Sequence, residues 1–309
     1  MTSALFDEGD ARSSVLVRMK DGDDGDSPLF FFPGSAGSLS ELTPLVARIR
    51  SPMPVYCVKP RGAYPGENPH DRIDDMVEYA LDEIKSVAQG GAYFLVGYSG
   101  GGLVAFETAR RLSSCGASVP LLVLLDTYTS ELSWPIGCQL QVLVRHFVHR
   151  MNELRATPLA EINSFIKERG RGILNYFWRI SLGLRRWQRS EVLTVAQRLH
   201  YAMVAAVAHY RPGYFSGKIT FFRPDKIGMQ PRDPKRVWRK FAQELEVHIV
   251  PGSHISMISQ VDALADELSA CLDRAIDHVP LPSACGCAPR LPDQMASPST
   301  HDLPMSSRR

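Results

Sequence analysis

Hydrophobic residues in this chain fall into short runs that are separated by longer segments of mixed polarity. The run VLVRMKDG at positions 15–22 predicts an early strand. Six further runs are short and rich in aliphatic and aromatic residues, and most of them do not alternate with polar positions, which is typical of strands buried on both faces of a parallel sheet. They are PLFFFPG (28–34), PVYCVKP (54–60), AYFLVG (92–97), VPLLVLLD (119–126), GKITFF (217–222) and LEVHIV (245–250).

The segments between these runs have apolar residues at helical spacing. Residues 72–88 show this most clearly, and helices are also predicted for 41–49, for 102–116 with Gly116 as a C-cap, and for 257–276. Strands that alternate with helices predict an α/β fold, with helices on both faces of a mostly parallel central sheet.

Two segments interrupt this alternation. From Thr127 to about Arg211 there is no strand signal, only helical material, which predicts a helical lid inserted over about 130–211. Residues 279–309 are rich in Pro and Ser, so we expect a disordered tail. The predicted organisation is an N-terminal extension with the early strand (1–27), one α/β domain (28–278) and this tail.

Composition narrows the class of protein. The 309 residues are 44% hydrophobic with a net charge of +2, so the charge balance gives no reason to expect a nucleic-acid or membrane-surface partner. The N-terminus lacks the apolar core of a signal peptide, and the apolar runs are too short to span a bilayer. The six cysteines are scattered without a complete zinc pattern, so we expect reduced thiols, no bound metal and a cytoplasmic location.

The stretch Gly97-Tyr98-Ser99-Gly100-Gly101 carries the candidate chemistry. It fits G-x-S-x-G and lies between a predicted strand and a predicted helix, which is the context of a nucleophile elbow. Neither a phosphate-binding loop nor a dinucleotide fingerprint fits, because no Gly-Lys-Ser/Thr follows and Ser99 interrupts the glycine spacing. An ordinary glycine-rich turn is the remaining alternative. In an elbow, the N–H of Gly100 would face the substrate oxygen.

A nucleophilic serine needs a base and an acid that orients it. His254 follows the last predicted strand, where open α/β sheets bind ligands, so we predict that it is the base. His200 and His209 are weaker alternatives, while His70 and His248 are interpreted as surface or structural residues. Asp126 and Asp225 each follow a predicted strand, and the pattern alone does not decide which is the acid.

Five blocks lie in order over 29–276, and they are LFFFPGSAGS, VYCVKPRGAYPGENP, GYSGGGLVAFETARRL, VLLDTYTSE and GSHISMI. In sequence and order they resemble the thioesterase domains that end nonribosomal peptide and polyketide assembly lines, within the α/β-hydrolase superfamily. The resemblance implies that Asp126 is the acid, with Asp225 as the alternative. It also implies that the N–H of Ser35, with Ala36 as alternative, is a second oxyanion donor beside Gly100.

The resemblance further implies a serine thioesterase that releases an acyl, peptidyl or polyketide chain from a phosphopantetheine carrier protein, by hydrolysis or cyclisation and without a cofactor. The chain begins with Met and shows no attached carrier domain, so we expect a discrete thioesterase, with one domain excised from a larger protein as the alternative. We also expect a monomer. A basic stretch centred on Arg185–Arg189 is a candidate docking face for the carrier. The alternative functions are a carboxylester hydrolase or acyltransferase with the same triad, and a non-catalytic binding module.

Overall fold

The computed structural model describes residues 14–23, 27–64, 66–156, 193–228 and 230–278. Within these ranges, seven strands form one sheet in the order β1-β3-β2-β4-β5-β6-β7. Only β1 is antiparallel to its neighbour, and every other pair is parallel, as the unbroken apolar runs predict. The strands are β1 (Leu16–Lys20), β2 (Leu29–Phe32), β3 (Val55–Val58), β4 (Phe94–Tyr98), β5 (Leu121–Leu125), β6 (Phe215–Pro224) and β7 (Ala242–Val250).

Helices cover both faces of the sheet, which confirms the predicted fold class. One face packs against α2 and α3 in a core that includes Phe106 and Trp238, and the other packs against α1 and α7. The helices are α1 (Thr43–Arg48), α2 (Ile73–Ala88), α3 (Gly101–Ser114), α4 (Ile136–Ala156), α5 (Val195–His209), α6 (Lys235–Trp238) and α7 (Asp262–Asp277). No helix among the described residues has the length and apolarity needed to cross a membrane.

The structure extends or shortens several predicted elements. β6 and β7 pair from Phe215 and Ala242 onward, so both begin before their predicted runs. Phe215 and Ala242 are buried in the core, and exposed or half-buried residues separate them from the apolar runs that the sequence pattern detects. The last helix begins at Asp262 instead of residue 257, since Ser256–Ile258 form a separate 3₁₀ turn. Gly116 has a φ of 80° and directly follows Cys115, the C-cap of α3, so the helix ends one residue before the predicted C-cap.

The predicted insertion is helical in its described parts, α4 and α5. One side of α5 is buried against the domain through Leu199, Ala202, Met203 and Ala206. This packing places Met203 beside Gly100, at the start of α3. The basic stretch Arg185–Arg189 and the tail 279–309 lie outside the described residues.

Candidate active site

Ser99 occupies a tight turn between β4 and α3. Its φ is +53°, a left-handed conformation that non-glycine residues rarely adopt. The Ser99 N–H donates to Leu125 O at 3.0 Å, so the turn is fixed to the end of the neighbouring strand β5. This strained turn after a buried strand is the geometry of a nucleophile elbow.

Glycines at the turn are required by the close approach of α3 to the sheet. A Cβ on Gly97 would lie 2.4 Å from Gly102 Cα, and a Cβ on Gly101 would lie 2.1 Å from Pro33 O. A Cβ on Gly102 would lie 1.9 Å from Thr127 Oγ1. All three distances are far below van der Waals contact, so side chains at these positions would push the helix away from the strand ends.

Asp126 lies at the corresponding place on the next strand. It follows β5, has a φ of +43°, and its N–H donates to Phe222 O on β6 at 2.8 Å. Its side chain is 3% exposed. A carboxylate that is buried to this extent needs hydrogen-bond or charge partners to be stable.

His254 joins the serine and the aspartate. Its Nδ1 lies 2.7 Å from Asp126 Oδ2, and its Nε2 lies 3.1 Å from Ser99 Oγ. With Nδ1 donating to the carboxylate, Nε2 is left to accept the hydroxyl proton of Ser99. The three side chains thus form one continuous hydrogen-bonded chain, in the order of a Ser-His-Asp triad.

Tyr98, the residue before the serine, holds the histidine loop in place. Its ring stacks on the His254 ring with the centroids 5.0 Å apart, and its hydroxyl donates to His254 O at 2.9 Å. Burial, followed by the nearby Glu41 and Asp126, raises the pKa of Tyr98 above its usual range. The phenol therefore stays protonated and remains a donor.

The alternative candidates have other partners. Asp225 Oδ1 accepts the Gly252 N–H at 2.8 Å within the histidine loop, and the carboxylate that contacts His254 is that of Asp126. His209 Nδ1 lies 2.9 Å from Ala205 O in its own helix. His248 stacks on Phe222, with the ring centroids 5.0 Å apart. These contacts leave Asp225, His209 and His248 in structural positions.

The loop after β2 carries the remaining predicted donors, Ser35 and Ala36. It turns tightly, because the Gly37 N–H donates to Gly34 O at 2.9 Å, and it lies beside the start of α3 through Pro33. Ser35 Oγ lies 2.9 Å from Nδ1 of His200 on α5, which gives that histidine a contact in the loop. The predicted donors therefore lie on two segments, this loop and the turn at Gly100, that meet at one corner of the sheet.

Glu41 fixes the same loop, a contact that the sequence pattern did not suggest. Its Oε1 accepts the Gly34 N–H at 2.9 Å. Burial raises the pKa of Glu41, while the Gly34 hydrogen bond and the nearby His254 oppose this increase. Glu41 belongs to a short 3₁₀ turn, seven residues after Gly34 in the chain. The two groups meet only because the chain folds back on itself between them.

A pocket opens next to this corner and encloses about 530 Å³, part of it open to solvent. Ser35, Gly101 and Met203 line the end nearest the candidate triad. Among the described residues, no cluster of His, Cys, Asp or Glu could hold a metal ion.

Comparison with known proteins assigns the chain to a family. A family model described as the thioesterase domain matches residues 27–272. The polyketide synthase PksR of Bacillus subtilis (strain 168) is 35% identical over 117 residues, which cover 38% of this chain and 4% of that protein. Atromentin synthetase of Tapinella panuoides is 24% identical over 249 residues, which cover 75% of this chain and 25% of that protein. The chain thus spans a quarter or less of the length of these two relatives.

Solved structures of thioesterases share the fold. The type II thioesterase BorB from the borrelidin biosynthetic cluster superposes with a TM-score of 0.58 and 18% identity, over 83% of this chain and 97% of that one. ClbQ from the colibactin NRPS/PKS pathway gives a TM-score of 0.57 and 15% identity, over 82% of this chain and 99% of that one. These likenesses establish the α/β-hydrolase fold, and the family model extends over most of the chain. This chain therefore belongs to the thioesterase domain family.

Proposed function

We propose that Ser99, His254 and Asp126 are the nucleophile, base and acid of a serine thioesterase that releases a chain from a phosphopantetheine carrier protein. The observation that supports this proposal is the unbroken hydrogen-bonded chain from Ser99 Oγ through His254 to Asp126 Oδ2. The catalytic domain spans 28–278, and the enzyme acts as a monomer in the cytoplasm.

Acylation begins when His254 Nε2 takes the hydroxyl proton of Ser99 and Oγ attacks the thioester carbonyl carbon. The negative charge that develops on the carbonyl oxygen is stabilised by the N–H groups of Gly100 and Ser35, with Ala36 as alternative for the second. The carbon–sulfur bond then breaks, and the imidazolium gives its proton to the leaving thiolate. Asp126 holds the imidazole tautomer and stabilises the imidazolium between these steps.

Release repeats these proton transfers with a second nucleophile. Water, or a hydroxyl or amine of the acyl chain itself, gives a proton to His254 Nε2 and attacks the Ser99 ester. The second tetrahedral intermediate collapses, the proton passes to Ser99 Oγ, and the free acid or the cyclic product leaves. Each stage balances without an oxidant, a reductant or a metal.

A carrier-bound substrate is supported by the relatives. The proteins that the chain matches include a polyketide synthase and a nonribosomal peptide synthase of Bacillus subtilis (strain 168). Among the solved structures of this fold is the Vlm2 thioesterase domain bound with a dodecadepsipeptide. An assembly-line acyl or peptidyl thioester is therefore the substrate class that we assign to this chain.

Intact-protein mass spectrometry tests the proposal directly. Wild-type protein and Ser99→Ala are each incubated with an acyl-phosphopantetheine carrier protein. The intact masses of the enzyme and of the carrier protein are then measured over time. We expect the wild type to unload the carrier. In His254→Ala the release step is slowed, so we expect an acyl adduct on Ser99 to be detectable in this variant. A matched oxygen ester in parallel distinguishes a thioesterase from a carboxylester hydrolase. Carrier unloading by Ser99→Ala at the wild-type rate contradicts the proposal.

A further inference from the structure

Helix α5 contacts both segments that carry the proposed oxyanion donors. Leu199 packs on Gly37 of the loop after β2, where a Cβ on the glycine would lie 2.8 Å from Leu199 Cδ1. One turn further along α5, Met203 packs on Gly100, the residue after the nucleophile. Both contacts are apolar, and apolar burial is non-directional, so these two side chains cannot by themselves fix the direction of a backbone N–H.

His200 adds a directional contact from the same turn of α5. Its Nδ1 lies 2.9 Å from Ser35 Oγ, within hydrogen-bond distance. Partial burial lowers the pKa of His200 below its usual value, so the ring is neutral at neutral pH. A neutral imidazole bonds a hydroxyl at Nδ1 as acceptor or as donor, according to its tautomer. The residue whose N–H is the proposed second donor is therefore held through its own side chain.

The turn that contains Ser35 is oriented by its contacts with the rest of the chain. The Gly37 N–H donates to Gly34 O at 2.9 Å, so the turn is closed internally and its orientation depends on contacts outside it. Glu41 accepts the Gly34 N–H, and one residue later His200 bonds the side chain of the turn. The peptide between these two bonded residues is the one that carries the Ser35 N–H. Loss of either bond would therefore let the proposed donor change direction.

Helix α5 is attached to the domain on both sides of His200. Two residues before it, Arg198 Nη1 donates to Glu67 O, on the connection between β3 and α2, at 3.3 Å. Directly after the helix, the Tyr210 hydroxyl donates to the buried carboxylate of Glu107 at 2.8 Å. A side chain positions a functional group well when the element that carries it is itself fixed, and these bonds meet that condition.

We infer that His200 is a positioning residue of the oxyanion hole, which holds the Ser35 N–H in the direction of the developing alkoxide. The inference rests on the proposed function, because negative charge develops on a carbonyl oxygen here only when Ser99 attacks an acyl group. His200 is not among the described residues that line the pocket beside the candidate triad. It therefore acts through Ser35 and not through contact with the acyl chain.

Two substitutions of His200 test this role with an N-acetylcysteamine acyl thioester as substrate. His200→Asn keeps a polar atom near the place of Nδ1, whereas His200→Leu keeps bulk and removes the bond. Leucine favours a helix more than asparagine does, so a role in helix stability alone predicts the greater loss for His200→Asn. We expect the reverse order, with kcat about three- to tenfold lower in His200→Leu and less than about twofold lower in His200→Asn. A greater loss in His200→Asn, or a kcat of His200→Leu within about twofold of the wild type, overturns the inference.

The loss should concern the transition state and not the binding of the substrate. We expect His200→Leu to leave KM within about twofold of the wild type, because the bond orients a donor that acts on the developing oxyanion. A trifluoromethyl ketone with the same acyl chain reports on this donor. Ser99 Oγ adds to its carbonyl carbon, His254 Nε2 takes the hydroxyl proton, and the carbonyl oxygen becomes the oxyanion. Its inhibition constant should rise by the same factor as kcat falls, and an unchanged constant overturns the inference.

A double-mutant cycle assigns the effect to the bond between His200 and Ser35. Ser35→Ala keeps the backbone N–H and removes the hydroxyl, so we expect a loss in kcat similar to that of His200→Leu. The double variant should lose no more than either single variant, because both changes remove the same bond. Losses that multiply, or a wild-type kcat in Ser35→Ala, overturn the inference.

His209→Leu is the matched control on the same helix. The Nδ1 of His209 lies 2.9 Å from Ala205 O within α5, so this substitution removes a histidine without changing a contact of the loop after β2. We expect His209→Leu to keep the wild-type kcat. A loss in His209→Leu equal to that in His200→Leu would indicate a general effect on α5 and overturns the inference.

Failure of the proposed function gives a different result. In that case the wild type hydrolyses the thioester no faster than Ser99→Ala, and the positioning role of His200 is rejected with it. Hydrolysis that depends on Ser99 but is unaffected by His200→Leu leaves the proposed function in place and rejects only the role of His200.

Discussion

Ser99 and Asp126 both adopt left-handed backbone conformations, with φ values of +53° and +43°. Such a conformation costs a non-glycine residue about 1–3 kcal/mol, and it is found where the surrounding structure over-determines it. In both residues the N–H is bonded to the end of the next strand. The strain raises both side chains from the sheet edge toward the same imidazole.

Replacement of each candidate acid by asparagine should show whether Asp126 or Asp225 orients His254. Asp126→Asn keeps the shape of the side chain but can force the wrong tautomer on His254, so we expect kcat to fall about 10⁴-fold. Asp225→Asn is the matched control, because an amide oxygen can still accept the Gly252 N–H. Steady-state kinetics of thioester hydrolysis measures both variants. A larger loss for Asp225→Asn than for Asp126→Asn would reassign the acid.

Glu41 should affect catalysis through the loop that it holds. Glu41→Ala removes the acceptor of the Gly34 N–H, so the neighbouring N–H groups lose their fixed direction and kcat should fall about 10- to 100-fold. Glu41→Gln keeps an accepting oxygen and should retain most of the activity. If Glu41→Gln loses as much activity as Glu41→Ala, the charge rather than the hydrogen bond is what matters.

At the residue scale, local pattern indicated some positions and not others. The G-x-S-x-G motif and the histidine after the last strand are local signals, and the structure brings these two side chains within hydrogen-bond distance. The acid stayed open because Asp126 and Asp225 both follow strands. Glu41 was not singled out, because its contact with the loop after β2 arises only when the chain folds back on itself.

At the scale of elements, the junction between α3 and β2 determines the position of the nucleophile turn. Gly101 begins α3 against the carbonyl of Pro33, and Gly100 faces a side chain of α5. The two adjacent glycines therefore meet neighbours of different stiffness, backbone in one case and a flexible methionine in the other.

Alanine at these two glycines should have unequal effects. Gly101→Ala places a methyl group 2.1 Å from Pro33 O, which cannot move without displacing β2, so we expect a loss of at least about 1–3 kcal/mol in unfolding free energy. Gly100→Ala meets Met203 Cγ at 2.5 Å, and a methionine can change rotamer, so this variant should be the more stable of the two. Chemical denaturation measures both, and equal stability would contradict this account.

The order of the elements follows from the apolar runs, but their ends do not. β6 and β7 begin before their continuous apolar runs, at Phe215 and Ala242, because each strand extends the hydrogen-bond ladder of the other across less buried residues. Residue spacing predicts which face of a helix is buried, whereas ladder length depends on the partner strand. The antiparallel direction of β1 was likewise not predicted, because an edge strand has the same short pattern in either direction.

At the scale of the whole molecule, a network of charged and hydrogen-bonded side chains joins α2, α3 and Tyr210, the residue directly after α5. Glu107 on α3 is 2% exposed and accepts from Arg110, Arg111 and the Tyr210 hydroxyl at 2.6–2.9 Å. Arg111 also bonds Asp74 on α2 at 2.6 Å. Burial by itself would raise the pKa of Glu107, but these hydrogen bonds outweigh it and lower the pKa below its usual range.

Acid should therefore weaken the fold through Glu107. A carboxylate whose pKa is lower in the folded state stabilises the fold at any pH above its pKa in the unfolded state, about 4.3 for Glu. This stabilisation is lost as the pH falls through the pKa of the folded state. Glu107→Gln should cost about 2 kcal/mol at neutral pH, and its difference from the wild type should shrink in acid. Thermal unfolding across pH measures this. Asp262→Asn, which breaks the exposed pair with Arg48, is the control and should cost about 1 kcal/mol or less.

The lateral bonds between strand ends also constrain how such an enzyme could evolve. Adjacent strands lie about 4.8 Å apart, so moving the carboxylate from the end of β5 to the end of β6 would require the imidazole to swing sideways by a similar distance. Asp225 already lies directly after that later strand and accepts the Gly252 N–H of the histidine loop. Relocation of the acid during evolution would therefore require only that the histidine loop reorient. Asp225, which now stabilises this loop, would then become the hydrogen-bond partner of His254.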